Sequence, residues 1–205
     1  MDTPIHHGTA ASDRVFKTAS ELFAAEGLYQ VGVNRIIEEA GVAKATFYRH
    51  FPSRNDLVLA YVDGLGRGWA SALKEAAGPF ATHPADQLLG MFDALARVGR
   101  PGDNGRVAFL RAAAESRPGS EVHLKITEHR ARILGWITSL ARHAEADDPD
   151  KLARTLELIL AGGQAQEMAA PEVDTHCLAR TAAGHVIRAA IARTKPATPV
   201  VHGPG

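Results

Sequence analysis

A chain of 205 residues with 45% hydrophobic side chains suits one compact body or two small helical domains with a real core. Lys+Arg and Asp+Glu both number 23, so the net charge is zero; that weighs against a protein basic over its whole surface and leaves room for a local basic face. The single cysteine, Cys177, excludes an intrachain disulfide, no run approaches the roughly 20 apolar residues of a spanning helix, and the N-terminal stretch lacks an apolar core of signal-peptide length, so the expected compartment is the cytoplasm.

Residues 1–11 read as a flexible arm. Ser12 then resembles an N-cap, and Val15, Phe16, Ala19, Leu22 and Phe23 recur at the 3-4 spacing of an amphipathic helix over 13–26, stopped by Gly27. Val33, Ile36, Ile37 and Ala40 mark a short second helix ending at Gly41. A third covers about 44–50, and Pro52 enforces the break after it. Ser53 caps a longer fourth helix carrying Leu57, Val58, Tyr61, Val62, Leu65 and Trp69. Helix five is expected from about 84 to 98, helix six over 105–115, and helix seven after the Ser120 cap, with Val122, Ile126, His129, Ile133, Ile137 and Leu140 on one stripe. Helices eight and nine follow over about 149–169 and 172–193, and residues 194–205 form a flexible tail. The expected fold is therefore all-α, with about nine helices and no β-alternation of any length.

The second and third helices carry the chemistry. Gly41 tolerates the backbone angles of a tight turn between them. Phe47 and Phe51 stand four apart, share a face, and are expected to pack on Phe23 and Ile36 or Ile37. That leaves Lys44, Ala45, Thr46, Tyr48, Arg49 and His50 outward or sideways. From Val42 to Asn55 there are three cations (Lys44, Arg49, Arg54), His50 and no acid. Cations suit guanine or phosphate, hydroxyls suit phosphate, and an alanine suits a thymine methyl, so the pair reads as a helix-turn-helix entering a major groove. The plainer reading is a helical hairpin with a solvated face. An exposed tyrosine beside a buried phenylalanine, just before a proline break, is hard to explain by solubility alone.

This stretch resembles the TetR family of bacterial transcriptional regulators. The residues that carry the resemblance are Ala19, Leu22, Phe23 and Gly27, then Ile36, Ala40-Gly41-Val42, Lys44, Thr46, Phe47-Tyr48, His50-Phe51 and Leu57. It is strong over about 12–62 and architectural beyond, although Phe109–Glu115, Trp136 and Gly162-Gly163 also look like one branch of such regulators. The resemblance implies that Thr46 and Tyr48 hold phosphates, Lys44 a phosphate or base edge, Ala45 and Arg49 bases or nearby backbone, His50 a phosphate, and Arg54 a further phosphate clamp. Two departures stand out. Gly32 replaces the usual Thr or Ser cap of helix two, and Ala43 the usual Ser cap of helix three, the latter worth about 1 kcal/mol.

The implied organisation is a DNA-binding domain over 12–55 and a helical ligand-binding and dimerisation domain over 56–193. Small-plus-apolar stripes on helix eight (Leu152, Leu156, Ile159, Leu160, Ala161-Gly162-Gly163) and helix nine (Leu178, Ala182, Val186, Ala189, Ala190) are expected to pair two protomers; packing within one protomer is the competing reading. An effector between helices four and seven is expected to meet Met91, Phe92, Leu95, Phe109 and Trp136, with Arg111, Glu115, His123 and His129 as polar groups, although Phe92, Phe109 and His129 each also read as plain core. No metal motif, cysteine pair, phosphate loop or nucleophile elbow is present, so neither metal, cofactor nor catalytic residue is expected. Cys177 reads as a buried structural thiol, with His176 pointing another way on the helix. The expected function is a ligand-responsive homodimeric repressor on a pseudo-palindromic operator. The alternatives are a ligand-binding dimer that has lost DNA binding and, more remotely, a helical enzyme using Glu115 and His129 as an acid/base pair.

Overall fold

The computed structural model describes residues 10–78, 83–97, 104–170 and 172–192. Among these residues the chain forms nine α-helices, one 3-10 segment and no strand. The helices are α1 (Ala10–Glu26), α2 (Val33–Ala40), α3 (Lys44–His50), α4 (Arg54–Ala77), α5 (Pro84–Gly90), α6 (Asn104–Glu115), α7 (Glu121–His143), α8 (Pro149–Ala169) and α9 (Thr175–Ala192), with the 3-10 segment Met91–Arg97 after α5. None is long and apolar enough to cross a membrane. The backbone groups into two compact units, one drawing on Met1–Ala70 and Gly99–Arg130, the other on Ser71–Val98 and Ala131–Gly205. Most of the flexible arm expected over 1–11, the tail expected over 194–205 and the end of the fifth helix lie outside the described residues.

In the first unit, α1 supplies Val15, Ala19, Leu22 and Phe23, α2 supplies Ile36 and Ala40, and α3 supplies Phe47 to one apolar core. Leu57, Val58, Tyr61 and Val62 of α4 close that core together with Ala108, Phe109 and Ala112 of α6 and Val122 and Ile126 of α7. α1 already runs through Ala10 and Ala11, so Ser12 is a buried residue inside it and not its N-cap; two alanines, the best helix formers, extend the helix past a residue that would otherwise cap it.

In the second unit, Leu152, Leu156 and Leu160 of α8 are buried, as are Ala179, Ala183 and Ile187 of α9. Gly163 allows close packing there: a Cβ would stand 2.9 Å from Leu95 Cδ1 and 3.6 Å from Ala179 Cβ. The fifth helix does not continue as expected. It stops at Gly90, where a Cβ would stand 3.0 Å from the Ala76 carbonyl of α4, and the chain tightens into the 3-10 turn. A three-residue period eclipses positions i and i+3, which buries Met91 with Ala94 and Phe92 with Leu95 while Ala96 stays exposed. Asp93, between those ridges, accepts from Arg180 Nε and lies in hydrogen-bond contact with His176 Nε2, both at 2.9 Å. α9 starts at Thr175 and not near 172, because Asp174 Oδ1 accepts from the Cys177 amide at 3.0 Å and caps the helix. Cys177 is exposed, contrary to the buried thiol expected; it and His176 line the same cleft of about 460 Å³, with Asp93, Arg180, Thr181 and Arg188.

Candidate nucleic-acid interface

α1 ends where Gly27 takes φ 92° and its amide bonds to Phe23 O at 3.0 Å. The connection to α2 is anchored by Leu28 and Val31, both buried. α2 starts at Gly32 and α3 at Ala43; both caps are extended and neither has a side-chain cap bond. A Cβ on Gly32 would meet nothing within 4 Å, so the glycine is not required by sterics there. Gly41 is required: at φ 62° and ψ 40° it closes α2 in the left-handed region, its amide bonding to Glu38 O at 3.1 Å and the Val42 amide to Ile37 O at 3.3 Å. That turn aims α3 away from α2 within two residues. After α3, Pro52 separates the helices and Ser53 with Asp56 forms a reciprocal capping box: Ser53 N and Oγ both donate to Asp56 Oδ2 (2.9 and 2.7 Å), and the Asp56 amide bonds back to Ser53 Oγ at 3.1 Å.

Phe47 is fully buried and Phe51 nearly so, with ring centroids 6.0 Å apart. They hold α3 by its inner face. Lys44, Ala45, Tyr48 and Arg49 are exposed, and at spacings of one and four they share the opposite face. Tyr48 is 41% exposed although its ring stands edge-on to Phe47 at 5.2 Å, so the phenol is directed outward from a fixed base. Thr46 and His50 are half-buried at the edges of that face. The other cation of the motif region, Arg35 on α2, is occupied: its guanidinium bonds to Glu26 at 2.6 Å and Glu39 at 2.7 Å, which raises its pKa through those hydrogen bonds and holds the Glu26 carboxyl below its usual range.

Arg54, the further clamp expected, makes contacts within the protein. Its Nε donates to Val31 O at 3.0 Å and its Nη2 to Leu28 O, and the guanidinium lies 5.7 Å from the Phe23 ring. It is turned into the α1–α2 connection, where two carbonyls take donors from Nε and Nη2. The residues expected around an effector are also divided. Phe109, Arg111, Glu115 and His129 belong to the first unit, and Met91, Phe92, Leu95 and Trp136 to the second. Met91, Phe92 and Leu95 are wholly buried in the 3-10 ridges, and Trp136 is half-buried. His129 is 3% exposed, edge-on to Phe109 and bonded through Nε2 to Asp63 Oδ1 at 2.9 Å. Arg111 Nη1 donates to Ala24 O and Glu115 Oε2 accepts from Leu28 N, both at 2.8 Å, so both side chains hold the end of α1. His123 Nδ1 stands 3.4 Å from Ser116 Oγ. Glu115 and His129 have separate partners and form no acid/base pair. Sequence reading missed the hold on α1, because its partners lie 87 residues apart in the chain.

The family model described as bacterial regulatory proteins, tetR family, matches residues 15–61. The crystal structure of a TetR-family transcriptional regulator from Streptomyces coelicolor is similar over nearly the whole chain, with 31% identity, a TM-score of 0.77, and 88% of this chain and 96% of that chain covered. An HTH-type transcriptional regulator of Mycobacterium tuberculosis is 29% identical over 148 residues, 70% of this chain and 68% of that protein. The HTH-type transcriptional activator FasR of Mycolicibacterium smegmatis is 40% identical over 60 residues, 27% of each chain.

Proposed function

The chain belongs to the TetR family of bacterial transcriptional regulators, a DNA-binding regulator and not an enzyme, and from that premise we propose that it acts as a homodimeric repressor released from a pseudo-palindromic operator by a small, largely apolar effector. The observation that carries the reading is the exposed face of α3: Lys44, Ala45, Tyr48 and Arg49 project together from a helix locked by Phe47 and Phe51, with no acidic residue between Val42 and Asn55. Lys44, Thr46, Tyr48 and His50 contact phosphate, while Ala45 and Arg49 approach base edges or the adjoining backbone. Gly32 and Ala43, the departures that favoured a dimer without DNA binding, leave α2 and α3 fully formed.

Two readers on one operator require a dimer. Its support is the outward side of α8 and α9, where Leu158 is 72% and Leu178 63% exposed. Gly162, one turn beyond Leu158, is exposed and open, and Ala182 and Ala189 along α9 are exposed. The stripes expected to pair protomers are thus split: Leu152, Leu156, Leu160 and Gly163 face inward within the protomer, and Gly162, Leu178, Ala182 and Ala189, together with Leu158 outside the expected stripe, are left for a second copy. The effector binds within the helical domain over 56–193, and its affinity and that of DNA oppose each other by one reciprocal coupling energy. Arg111 and Glu115, engaged on α1, are not part of its recognition. The protein works in the cytoplasm, where its operator is.

Selection of duplexes from a genomic fragment library at moderate salt tests the reading. A recovered sequence with twofold symmetry, bound by two protomers, is expected; failure to enrich any sequence contradicts it.

A further inference from the structure

The backbone at Leu28 is held from two helices at once, one bond on each of the two peptide groups that flank its Cα. Its amide donates to Glu115 Oε2, at the end of α6, at 2.8 Å. Its carbonyl accepts from Nη2 of Arg54, the first residue of α4, whose Nε also holds Val31 O. One turn back along α6, Arg111 holds Ala24 O of α1 and stands 3.8 Å from Glu115 Oε1. The fit at the turn is tight: a Cβ on Gly27 would stand 2.8 Å from Glu115 Oε1. One carbonyl in the last turn of α1, Ala24 O, and the second amide beyond the helix, Leu28 N, are therefore fixed by side chains from elsewhere in the unit, at the point where the chain leaves for α2 and α3.

We propose that Glu115 and Arg54 are positioning residues for DNA binding, which act through the two peptide groups flanking Leu28 to set the angle at which the α2–α3 reader leaves α1. The inference rests on α3 as the reader. Leu28 and Val31 side chains are buried and hold the connection in place by packing, but packing of two aliphatic groups leaves the peptide planes on either side of the Leu28 Cα free to tilt. The two hydrogen bonds remove that freedom. Reader side chains must meet their targets within about 0.5 Å and 10–20°, so a small tilt at Leu28 is enough to lower affinity.

Electrostatics alone makes the opposite prediction for Glu115. Removing an acid from a DNA-binding unit should strengthen binding or leave it unchanged. With the full-length chain and a duplex recovered by genomic selection, Glu115→Ala is expected to weaken binding roughly tenfold or more, the scale of one charge-assisted hydrogen bond. Affinity for a random-sequence duplex should be unchanged or higher. Glu115→Gln keeps an oxygen to accept from Leu28 and should stay within about threefold of the wild type. Arg54→Ala should lose operator affinity while its salt slope stays at the wild-type value, whereas loss of a phosphate clamp would lower that slope by about 1. Wild-type affinity in Glu115→Ala, or an equal loss in Glu115→Gln, overturns the proposal. If Glu115→Ala does not fold, hydrogen exchange of the Leu28 amide in the wild-type protein decides: protection is expected, and exchange at the rate of an open loop overturns it. A wild type that enriches no duplex counts against the DNA reading, and an unprotected Leu28 counts against the positioning pair, so the two failures are told apart.

Discussion

His129 occupies the space in which a side chain at residue 66 would begin: its Nε2 bonds to Asp63 Oδ1 at 2.9 Å, and an ideal Cβ on Gly66 would stand 2.3 Å from its Cγ. Gly66→Ala therefore forces a buried ring off its hydrogen bond and should destabilise the protein by about 1–3 kcal/mol. Gly68, two residues along the same helix, meets nothing within 4 Å. Gly68→Ala should stabilise by about 0.5–1 kcal/mol through helix propensity alone. Denaturant melts of the two variants should move in opposite directions, and a shared direction contradicts the packing described.

Tyr61 gives the stability a high-pH limb. Its ring lies 5.3 Å from Phe23 in the core, and burial pushes the phenol up to about 12. The unfolded chain loses that proton near 10, so the folded state binds it more tightly. The stability from this group is whole below about pH 10 and is lost as pH rises from about 10 to about 12, to a total on the order of 2–3 kcal/mol. Tyr61→Phe cannot ionise. The wild type should lose more stability than this variant between pH 9.5 and 11.5, and equal losses would contradict the assignment.

The cations of α3 should show as counterion release. Lys44→Gln and Arg49→Gln should each lower the slope of log affinity against log salt by about 1 per bound protomer. Both side chains are exposed on the outer face of α3, so the thermal midpoint should hardly move. An unchanged slope in both variants would turn that face away from the duplex.

Leu158→Glu or Leu178→Glu should convert the dimer to a monomer. Each places a charge on an apolar side chain more than half exposed in the protomer, so helicity should persist while association fails. Sedimentation should give about twice 21.8 kDa for the wild type and 21.8 kDa for the variants. Operator binding should fall with dimerisation, since two half-sites need two readers. A wild type that sediments as a monomer contradicts the pairing.

What the sequence disclosed follows from the range of the forces involved. α2 and α3 are bounded by Gly41 and Pro52, whose effects act within a turn, and both helices fall where those residues predict. The caps at Ser53 and Ser120 are equally local. The Phe47–Phe51 anchor is legible because a spacing of four fixes a shared face. Ser12 misleads because its capping chemistry competes with the helix propensity of Ala10 and Ala11, and burial decides. The 3-10 ridges were written in Met91-Phe92-x-Ala94-Leu95, a period of three that an α-helical reading passes over. Arg54 and Glu115 are illegible for a different reason: their partners lie 26 and 87 residues away in the chain, and no local pattern distinguishes a guanidinium that grips phosphate from one that grips a carbonyl. On α8 and α9, the alternation of apolar residues marked both helices as packed but not which apolar residue faces which neighbour.

The double variant Thr46→Ala/Tyr48→Phe tests the central claim most directly. Each change removes one hydroxyl from the reader and leaves the Phe47 anchor alone. Fluorescence anisotropy against a selected duplex and a random-sequence duplex should show affinity falling by a similar factor on both, since phosphate contacts carry no sequence information. Wild-type affinity on both duplexes, in a variant with unchanged helicity, would contradict the account of α3 as the DNA-reading helix.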